Sequence, residues 1–286
     1  MGGAKNVIIH SHSTHGNHVY IHYALRPLVK RMSNVRLACG EMAGRWMYGK
    51  GKDFTVIPNG VDTEDYRFAP QNRESVRKDL GLADDTFVIG HVGTLSVVKN
   101  QVFLLKLIKQ IADEGDSRTI LMLIGDGPIR AELTATVERM GLAGHVMFLG
   151  VRNDVGRLMA AMDVFCLPSL FEGFPIVAVE AQTSGLPVII SSEVSSEVCI
   201  TDLVRQLPIN EGTGQWKNEI SKLYSSRGNR QNYADVVREA GFDIHDSAQM
   251  LETIYKRNDK GINAEHCADD LRRHRNDNSQ LCDESG

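Results

Sequence analysis

The fold follows from the stretch VFCLPSLFEGFPIVAVEAQTSGLPVIISS, residues 164–192. It starts with the apolar run VFCL, crosses a loop with glycine and proline, continues with helical character over 176–184, and ends in the apolar run PVII. Strands that are apolar throughout, rather than at every second residue, are typical of parallel sheets covered by helices on both faces. The stretch therefore predicts a strand, a helix and a second parallel strand.

The same alternation extends back to Thr86. Strands are predicted over 86–93, 119–125 and 145–150, and helices over 101–113, 129–140 and 155–162. Each strand with its helix has about the length of a right-handed crossover. We therefore predict a doubly wound parallel sheet, in which ligands bind at the carboxyl ends of the strands.

The first 60 residues predict the closing units of a second α/β domain, with strands over 5–12, 35–40 and 55–58 and a helix over 18–32. Two or three parallel strands make a poor independent sheet, because their edges are exposed and their core is incomplete. We therefore expect the chain to begin within that domain. Helices are predicted over 215–225, 230–240 and 245–256. The expected domains are a partial N-terminal domain (1–68), a complete C-terminal domain (69–242), a helix that returns to the first domain (243–257) and a frayed tail (258–286).

The composition is that of a globular protein: of 286 residues, 42% are hydrophobic and 24% are charged. No apolar run reaches the roughly 18–20 residues of a membrane span, and the N-terminus lacks the apolar core of an export signal. The five cysteines are widely spaced and form no C-x-x-C pair. We therefore expect a cytoplasmic protein without a disulfide framework or a zinc finger.

Charge is distributed unevenly along the chain. Residues 1–60 have eight lysines and arginines against two acidic residues, a net charge of +6, so the rest of the chain, whose total is −4, has −10. A basic end of this kind predicts peripheral contact with an anionic membrane, at the inner face of the cell membrane. The alternative is that these basic residues form a solvated helix face. No nucleic-acid partner is expected, because no nucleic-acid-binding motif accompanies the charge.

Two carboxylates stand out around the loop after the strand at 164–167. Glu172 lies in the predicted loop and Glu180 about one turn into the predicted helix. An ionised carboxylate accepts two hydroxyl hydrogen bonds at fixed geometry, so this pair suits a polyhydroxylated ligand. The amides of residues 174–177 at the helix start add donors for an anionic group. The alternative is structural, with Glu172 capping the helix and Glu180 solvated.

The block FEGFPIVAVEAQTSGLPVI (171–189) resembles the E-x7-E signature of the family 4 retaining glycosyltransferases, in particular the bacterial exopolysaccharide and capsule type. Further similar segments occur in family order: ACGEMAGRW (38–46), VIPNGVD (56–62), VIGHVGTLSVVKN (88–100), LMLIGDGP (121–128), VMFLGVRNDV (146–155) and MDVFCLPS (162–169). The resemblance covers about residues 6–257. It implies an α/β fold of GT-B type: a complete C-terminal Rossmann-like domain and the closing part of an N-terminal one.

The resemblance also implies roles for individual residues. Glu180 would hold the ribose hydroxyls of a nucleotide sugar, Glu172 the hexose hydroxyls, and Lys99 the diphosphate. The implied catalytic residues are Glu172, Lys99 and His12. The implied donor-binding residues are Gly93, Thr94, Lys99, Asn100, Gly125, Gly127, Val151, Arg152, Glu172, Gly173, Phe174, Pro175, Ile176, Val177 and Glu180.

The implied reaction is the transfer, with retention, of a hexose from a nucleotide-diphosphate sugar, a UDP-sugar by preference, to a saccharide or lipid-linked acceptor. It would serve exopolysaccharide, capsule or glycolipid synthesis, and neither a metal nor another cofactor is expected. The sequence departs from the family in two ways: Thr94 stands where an arginine is usual, and the family's first strand and glycine-rich loop have no counterpart. A non-catalytic nucleotide-sugar-binding homologue and an epimerase or phosphorylase of the same fold stay open as alternatives.

Overall fold

The computed structural model describes residues 7–13, 18–51, 53–226 and 230–259. The chain forms two compact units: Val61–Asp243 is one, and the residues up to Gly60 together with those from Ile244 onward are the other. We expected the boundaries after residues 68 and 242. The first boundary lies earlier because the segment 61–68 is bound within the larger unit, where the Val61 amide donates to the Phe242 carbonyl (2.8 Å) and Arg67 pairs with Asp235 (2.8 Å).

The smaller unit contains a three-stranded parallel sheet in the order β1-β2-β3. Its elements are β1 (Ile8–Ser11), α1 (Val19–Met32), β2 (Val35–Ala38), α2 (Glu41–Tyr48) and β3 (Thr55–Val56). The C-terminal helix Ile244–Asp259 belongs to this unit, and its Ile254 packs with Val35, Leu37 and Ile57. No side chain of α1 is buried.

The larger unit contains six parallel strands: β4 (Phe87–Val92), β5 (Thr119–Ile124), β6 (Val146–Gly150), β7 (Val164–Leu167), β8 (Val188–Ser191) and β9 (Val204–Leu207). Their order in the sheet is β6-β5-β4-β7-β8-β9. Its helices are α3 (Pro70–Asp79), α4 (Gln101–Asp113), α5 (Arg130–Arg139), α6 (Val155–Ala161), α7 (Ile176–Thr183), α8 (Gly214–Leu223) and α9 (Ala234–Glu239). The predicted doubly wound parallel sheet is therefore confirmed.

The sheet has an apolar core on each face. Successive residues of a strand enter different cores: in β4, for example, Val88 belongs to one and Phe87 and Ile89 to the other. Because both faces are covered, no strand position in the centre of the sheet needs a polar side chain. This explains the continuous apolar runs of the sequence.

Three local features differ from the sequence prediction. Helix α3 and strand β9 were not predicted, and the helix predicted over 230–240 begins only at Ala234. Arg230 stays outside the helix because its guanidinium binds the Met159 carbonyl (2.9 Å) at the end of α6. The C-terminal helix, α10, continues to Asp259, and residues 260–286 of the predicted tail lie outside the described residues.

The strand order places a switch point between β4 and β7. From β4 the chain runs outward through β5 and β6, and it then returns to start β7 on the other side of β4. The loops that follow β4 and β7 therefore leave the sheet side by side at its carboxyl edge, where ligands bind in open α/β sheets. These are the loops that contain Lys99 and Glu172.

Candidate active site

Direct hydrogen bonds join the two loops at the switch point. The Leu170 amide donates to the Val98 carbonyl (2.8 Å), and the Asn100 side-chain amide donates to the Pro168 carbonyl (3.1 Å). Asn100 has a φ of 54°, in the left-handed region that asparagine tolerates better than most residues. It ends the short 3-10 turn Val97–Lys99 and begins α4, so the chain turns sharply after Lys99.

The geometry brings Lys99 and Glu172 together in an ion pair. The distance from Lys99 Nζ to Glu172 Oε1 is 2.5 Å, and the Ser169 hydroxyl donates to the same oxygen at 3.1 Å. The side chains are 21% and 17% exposed, so the pair is partly desolvated but still open to a ligand. Because both contacts use Oε1, the second carboxylate oxygen has lone pairs available for ligand hydroxyls.

Backbone contacts also tie the loops after β4, β5 and β6 together. The Gly93 amide donates to the Ile124 carbonyl (2.9 Å), and the Gly125 amide donates to the Gly150 carbonyl (2.7 Å). A Cβ at Gly125 or Gly127 would lie well inside van der Waals contact with the backbone of Gly93 or Leu95. Glycine is therefore required at both positions for the loops to approach so closely.

A buried polar network supports the loop that leads to Lys99. His91 Nδ1 donates to the Cys166 backbone carbonyl (2.9 Å), so His91 Nε2 accepts from the side-chain amide of Gln101 (3.1 Å). The same side-chain amide group donates to the Thr94 backbone carbonyl (3.0 Å). The side-chain oxygen of Gln101 accepts from the Ser96 backbone amide (3.3 Å). Burial, with a smaller contribution from the nearby Lys99 charge, lowers the pKa of His91 to about 4, so the ring is neutral at pH 7.

Glu180 has different surroundings from Glu172. It lies on α7 and is partly buried, and the hydroxyl of Tyr66 is near its carboxylate. Burial raises the pKa of Glu180, and the neighbouring Tyr66 hydroxyl lowers that pKa in part. Burial together with the neighbouring carboxylate raises the pKa of the Tyr66 hydroxyl.

The remaining predicted donor-site residues lie around these contacts. Thr94 is exposed in the loop after β4, Val151 is exposed after β6, and Arg152 pairs with Asp154 (2.7 Å). Gly173 and Phe174 lie in the loop before α7, Pro175 caps that helix, and Ile176 and Val177 form its first turn. His12 belongs to the smaller unit, where its ring lies 4.1 Å from that of His10.

Four residues of the site were missed by sequence reasoning: Ser169, Tyr66, His91 and Gln101. His91 had a visible signal, since it is a polar residue inside the otherwise apolar strand FVIGHV. Tyr66 had none, because only the tertiary fold brings it near Glu180. Within the described ranges, no three histidine, cysteine, aspartate or glutamate side chains are grouped so that they could hold a metal ion.

What the arrangement can do chemically follows from its charges and donors. An ammonium and the amides at the start of α7 can stabilise an anionic group. Two carboxylates, that of Glu172 beside the ammonium and that of Glu180 on α7, can accept hydrogen bonds from ligand hydroxyls. The site therefore has the groups that a phosphorylated, polyhydroxylated ligand requires.

A family model and two curated relatives all identify this chain as similar to glycosyltransferases. The model of the family described as "Glycosyl transferases group 1" matches residues 72–240. The Bacillus subtilis protein EpsF, which is named as a glycosyltransferase, is 35% identical over 80% of this chain and 61% of its own length. An Escherichia coli protein named UDP-Gal:alpha-D-GlcNAc-diphosphoundecaprenol alpha-1,3-galactosyltransferase is 36% identical over 53% of this chain and 40% of its own.

Among solved structures, the Anabaena protein HepE in complex with UDP-glucose matches with a TM-score of 0.72 and 25% identity, over 88% of this chain and 72% of that protein. The predicted α/β fold of GT-B type is thereby confirmed. The chain spans 61% or less of the length of the two curated relatives named above. No helix in the described part of the chain is both long and apolar enough to cross a membrane.

Proposed function

Because the chain belongs to the group 1 glycosyltransferases, we propose that it binds a nucleoside-diphosphate sugar as the donor part of a retaining hexosyltransferase. The proposed donor is a UDP-sugar, in line with the UDP-glucose bound to HepE. The proposed acceptor is a saccharide or a lipid-linked saccharide, in line with the name of the Escherichia coli relative. The proposed pathway makes an exopolysaccharide, a capsule or a glycolipid.

The observation that carries this proposal is the Lys99–Glu172 ion pair at the switch point (2.5 Å). A diphosphate leaving group develops negative charge, which a fixed ammonium and oriented backbone dipoles can stabilise. In the proposed complex Lys99 contacts the diphosphate, Glu172 the hexose hydroxyls and Glu180 the ribose hydroxyls. We propose that neither a metal nor another cofactor takes part, and that His12 faces the donor sugar and the acceptor.

The first experiment tests whether the protein binds a nucleotide sugar. Calorimetric titrations with UDP-, GDP- and ADP-sugars would show which base is accepted, and we expect the UDP-sugar to bind tightest. Glu172→Gln should weaken binding of the sugar nucleotide more than binding of UDP, because only the former brings hexose hydroxyls. Glu138→Gln, an exposed position on α5, is the matched control. If no nucleotide sugar binds, the proposal is wrong.

The second candidate function is donor binding without transfer. The observation in its favour is Thr94, an exposed, uncharged residue in the phosphate-side loop where the resembling family usually has an arginine. One cation fewer would reduce stabilisation of the leaving group. Donor hydrolysis by wild type and Glu172→Gln distinguishes the two: turnover that Glu172→Gln abolishes supports transfer, whereas binding without turnover supports the second candidate.

We further propose that α1 contacts an anionic membrane, where a lipid-linked acceptor would reside. Its exposed side chains include Tyr20, Ile21 and Leu28, and Lys30 and Arg31 lie in its last turn. Apolar side chains beside basic ones suit the interface of anionic lipids. In co-sedimentation with phosphatidylglycerol-containing vesicles, we expect bound protein to fall with added salt and with the change Tyr20→Ser/Arg31→Ser, but not with Arg139→Ser. Binding that ignores both salt and anionic lipid would contradict this proposal.

A further inference from the structure

Gln101 is a polar side chain in the interior of the larger unit. It is the first residue of α4 and is completely buried, whereas the other buried side chains of this helix are apolar. A buried amide group without hydrogen-bond partners is costly, so an amide in this place needs partners for both its nitrogen and its oxygen. Gln101 finds them in the loop after β4, the loop that leads to Lys99.

The side-chain amide of Gln101 bonds two backbone groups of that loop. Its nitrogen donates to the Thr94 carbonyl (3.0 Å), and its oxygen accepts from the Ser96 amide (3.3 Å). The reverse orientation would place oxygen against the carbonyl and nitrogen against the amide, so the orientation is fixed. The nitrogen also donates to His91 Nε2 (3.1 Å), which can accept because Nδ1 donates to the Cys166 carbonyl (2.9 Å).

Ser96 links Gln101 to Lys99. The Ser96 amide is held by Gln101, and the Ser96 carbonyl accepts from the Lys99 amide (3.1 Å), which closes the short 3-10 turn. A Cβ at Gly93 would lie 3.5 Å from Lys99 Cε, so the lysine stem runs back over the end of β4. Its ammonium then lies 2.5 Å from Glu172 Oε1. The position of the ammonium therefore depends on a turn that begins at a residue bound by Gln101.

We propose that Gln101 is a positioning residue for the diphosphate of the donor: its side-chain amide holds the loop after β4 in the conformation that places the Lys99 ammonium beside Glu172. This inference rests on the proposed function, in which Lys99 contacts the diphosphate. It adds to that function a residue that is completely buried and so acts on the ligand through Lys99.

The test is a double-mutant cycle between Gln101→Met and Lys99→Met. Methionine keeps an unbranched side chain of similar length and removes all the hydrogen bonds of the amide. The affinity for UDP is measured by calorimetry for wild type, both single variants and the double variant, and urea unfolding confirms that each is folded. A residue that acts through Lys99 loses its effect once Lys99 is replaced, whereas independent effects add.

Gln182→Met is the matched control. Gln182 is also completely buried, and its side-chain nitrogen donates to the Val198 carbonyl (2.9 Å) while its oxygen accepts from the Ile200 amide (3.1 Å). It therefore holds the segment that leads into β9, whereas Gln101 holds the loop at the carboxyl end of β4. The control removes hydrogen bonds of the same kind from a different connection.

We expect Gln101→Met to weaken UDP binding about tenfold when Lys99 is present and at most about twofold in the Lys99→Met background. Gln182→Met should lower the urea midpoint but change UDP affinity by less than about twofold in either background. A stability loss shared by both glutamine variants, with a loss of UDP affinity in only one, separates positioning from general support of the fold.

His91→Asn is a second variant of the same network. It keeps a donor for the Cys166 carbonyl and removes the acceptor for the Gln101 amide. It should weaken UDP binding about threefold, again only when Lys99 is present. It takes the place of Gln101→Met in the cycle if that variant does not fold.

Two results would overturn the inference while leaving the proposed function intact. One is an equal loss of UDP affinity from Gln101→Met with and without Lys99, which indicates a general structural role. The other is wild-type UDP affinity in a folded Gln101→Met protein. If wild type itself does not bind UDP, the proposed function fails, and this inference fails with it.

Discussion

Glu172 and Glu180 are two carboxylates in one short segment that the fold treats in opposite ways. Glu172 receives an ammonium and a hydroxyl on one oxygen, so its charge is balanced before any ligand arrives. Glu180 is partly desolvated, and burial raises its pKa. At the scale of the single residue, we therefore expect the Glu180 carboxylate to lower the stability of the folded protein.

We predict that Glu180→Gln stabilises the protein at pH 7 by about 1 kcal/mol, because the neutral amide replaces a partly desolvated charge. Burial raises the folded-state pKa of Glu180 above its ordinary value of 4.5, so the folded state binds the proton more tightly than the unfolded chain does. The destabilisation of the folded protein by the ionised Glu180 carboxylate is therefore present above pH 4.5 and disappears as the pH falls below 4.5.

The measurement is the free energy of unfolding in urea for wild type and Glu180→Gln at pH 7 and at pH 4. The advantage of the variant should be seen at pH 7 and be absent at pH 4, while its affinity for UDP is lower than that of wild type. A variant that is less stable than wild type at pH 7 would show that the Glu180 charge is stabilising.

At the scale of the elements, the site is a set of strand-end loops whose backbones touch. The loop after β5 lies against the loop after β4, where the Leu95 amide donates to the Asp126 carbonyl (3.0 Å) and the Ile129 amide donates to the Leu95 carbonyl (3.3 Å). Gly127 permits this approach because it has no side chain. The position of Lys99 therefore depends on glycines in a different loop.

We predict that Gly127→Ala lowers the free energy of unfolding by about 1–3 kcal/mol, since the added methyl group forces the two backbones apart. It should also weaken UDP binding, because the loop that leads to Lys99 moves. Gly144→Ala is the control, as a Cβ there meets nothing within 4 Å. Urea unfolding and UDP titration of both variants check this. Equal behaviour of the two alanine variants would contradict the close packing of the loops.

The elements also show which parts of the fold the sequence can predict. The central strands were predictable because their apolar runs report burial on both faces. Helix α3 was not, because its buried side chains include an arginine: Arg77 donates to the Ala161 carbonyl (3.0 Å), and Arg73 donates to the Met162 carbonyl (2.8 Å). Strand β9 has the sequence VRQL and pairs along one edge of the sheet, so it lacks the apolar run of a central strand.

The residues of the candidate site also fall into those that the sequence could predict and those that it could not. The residues of the strand-end loops could be predicted, because the topology of a doubly wound sheet fixes where such loops lie. The ion pair between Lys99 and Glu172 follows from that topology once the strand order is known. The proximity of Tyr66 to Glu180 could not be predicted, because it depends on how the segment 61–68 docks on α6 and α9, for which no local sequence pattern exists.

At the scale of the whole molecule, each unit has its own core. Both large apolar clusters lie entirely within Val61–Asp243, and the two small ones lie entirely within the other unit. The ends of the larger unit also meet, since Val61 and Asp243 form a β-bridge. A unit with a complete core and neighbouring ends has the properties of an independent domain.

We predict that the fragment Val61–Asp243 folds on its own and unfolds in one cooperative transition. It should bind UDP with an affinity within about threefold of the full chain, a difference of less than 1 kcal/mol, since the proposed UDP contacts of Lys99 and Glu180 are all within it. Circular dichroism during urea unfolding, followed by UDP titration, tests this. A fragment that unfolds gradually, without a cooperative transition, would show that the larger unit depends on the rest of the chain.

The most direct test of the account is the affinity for UDP of wild type, Lys99→Met and Lys109→Met. Lys99 lies at the switch point beside Glu172, whereas Lys109 lies on α4 and pairs with Asp113 of the same helix. If Lys99 contacts the diphosphate, its loss should weaken UDP binding roughly ten- to a hundredfold, and the loss of Lys109 should leave it unchanged. Wild-type affinity in Lys99→Met would contradict the assignment of this edge of the sheet as the donor site.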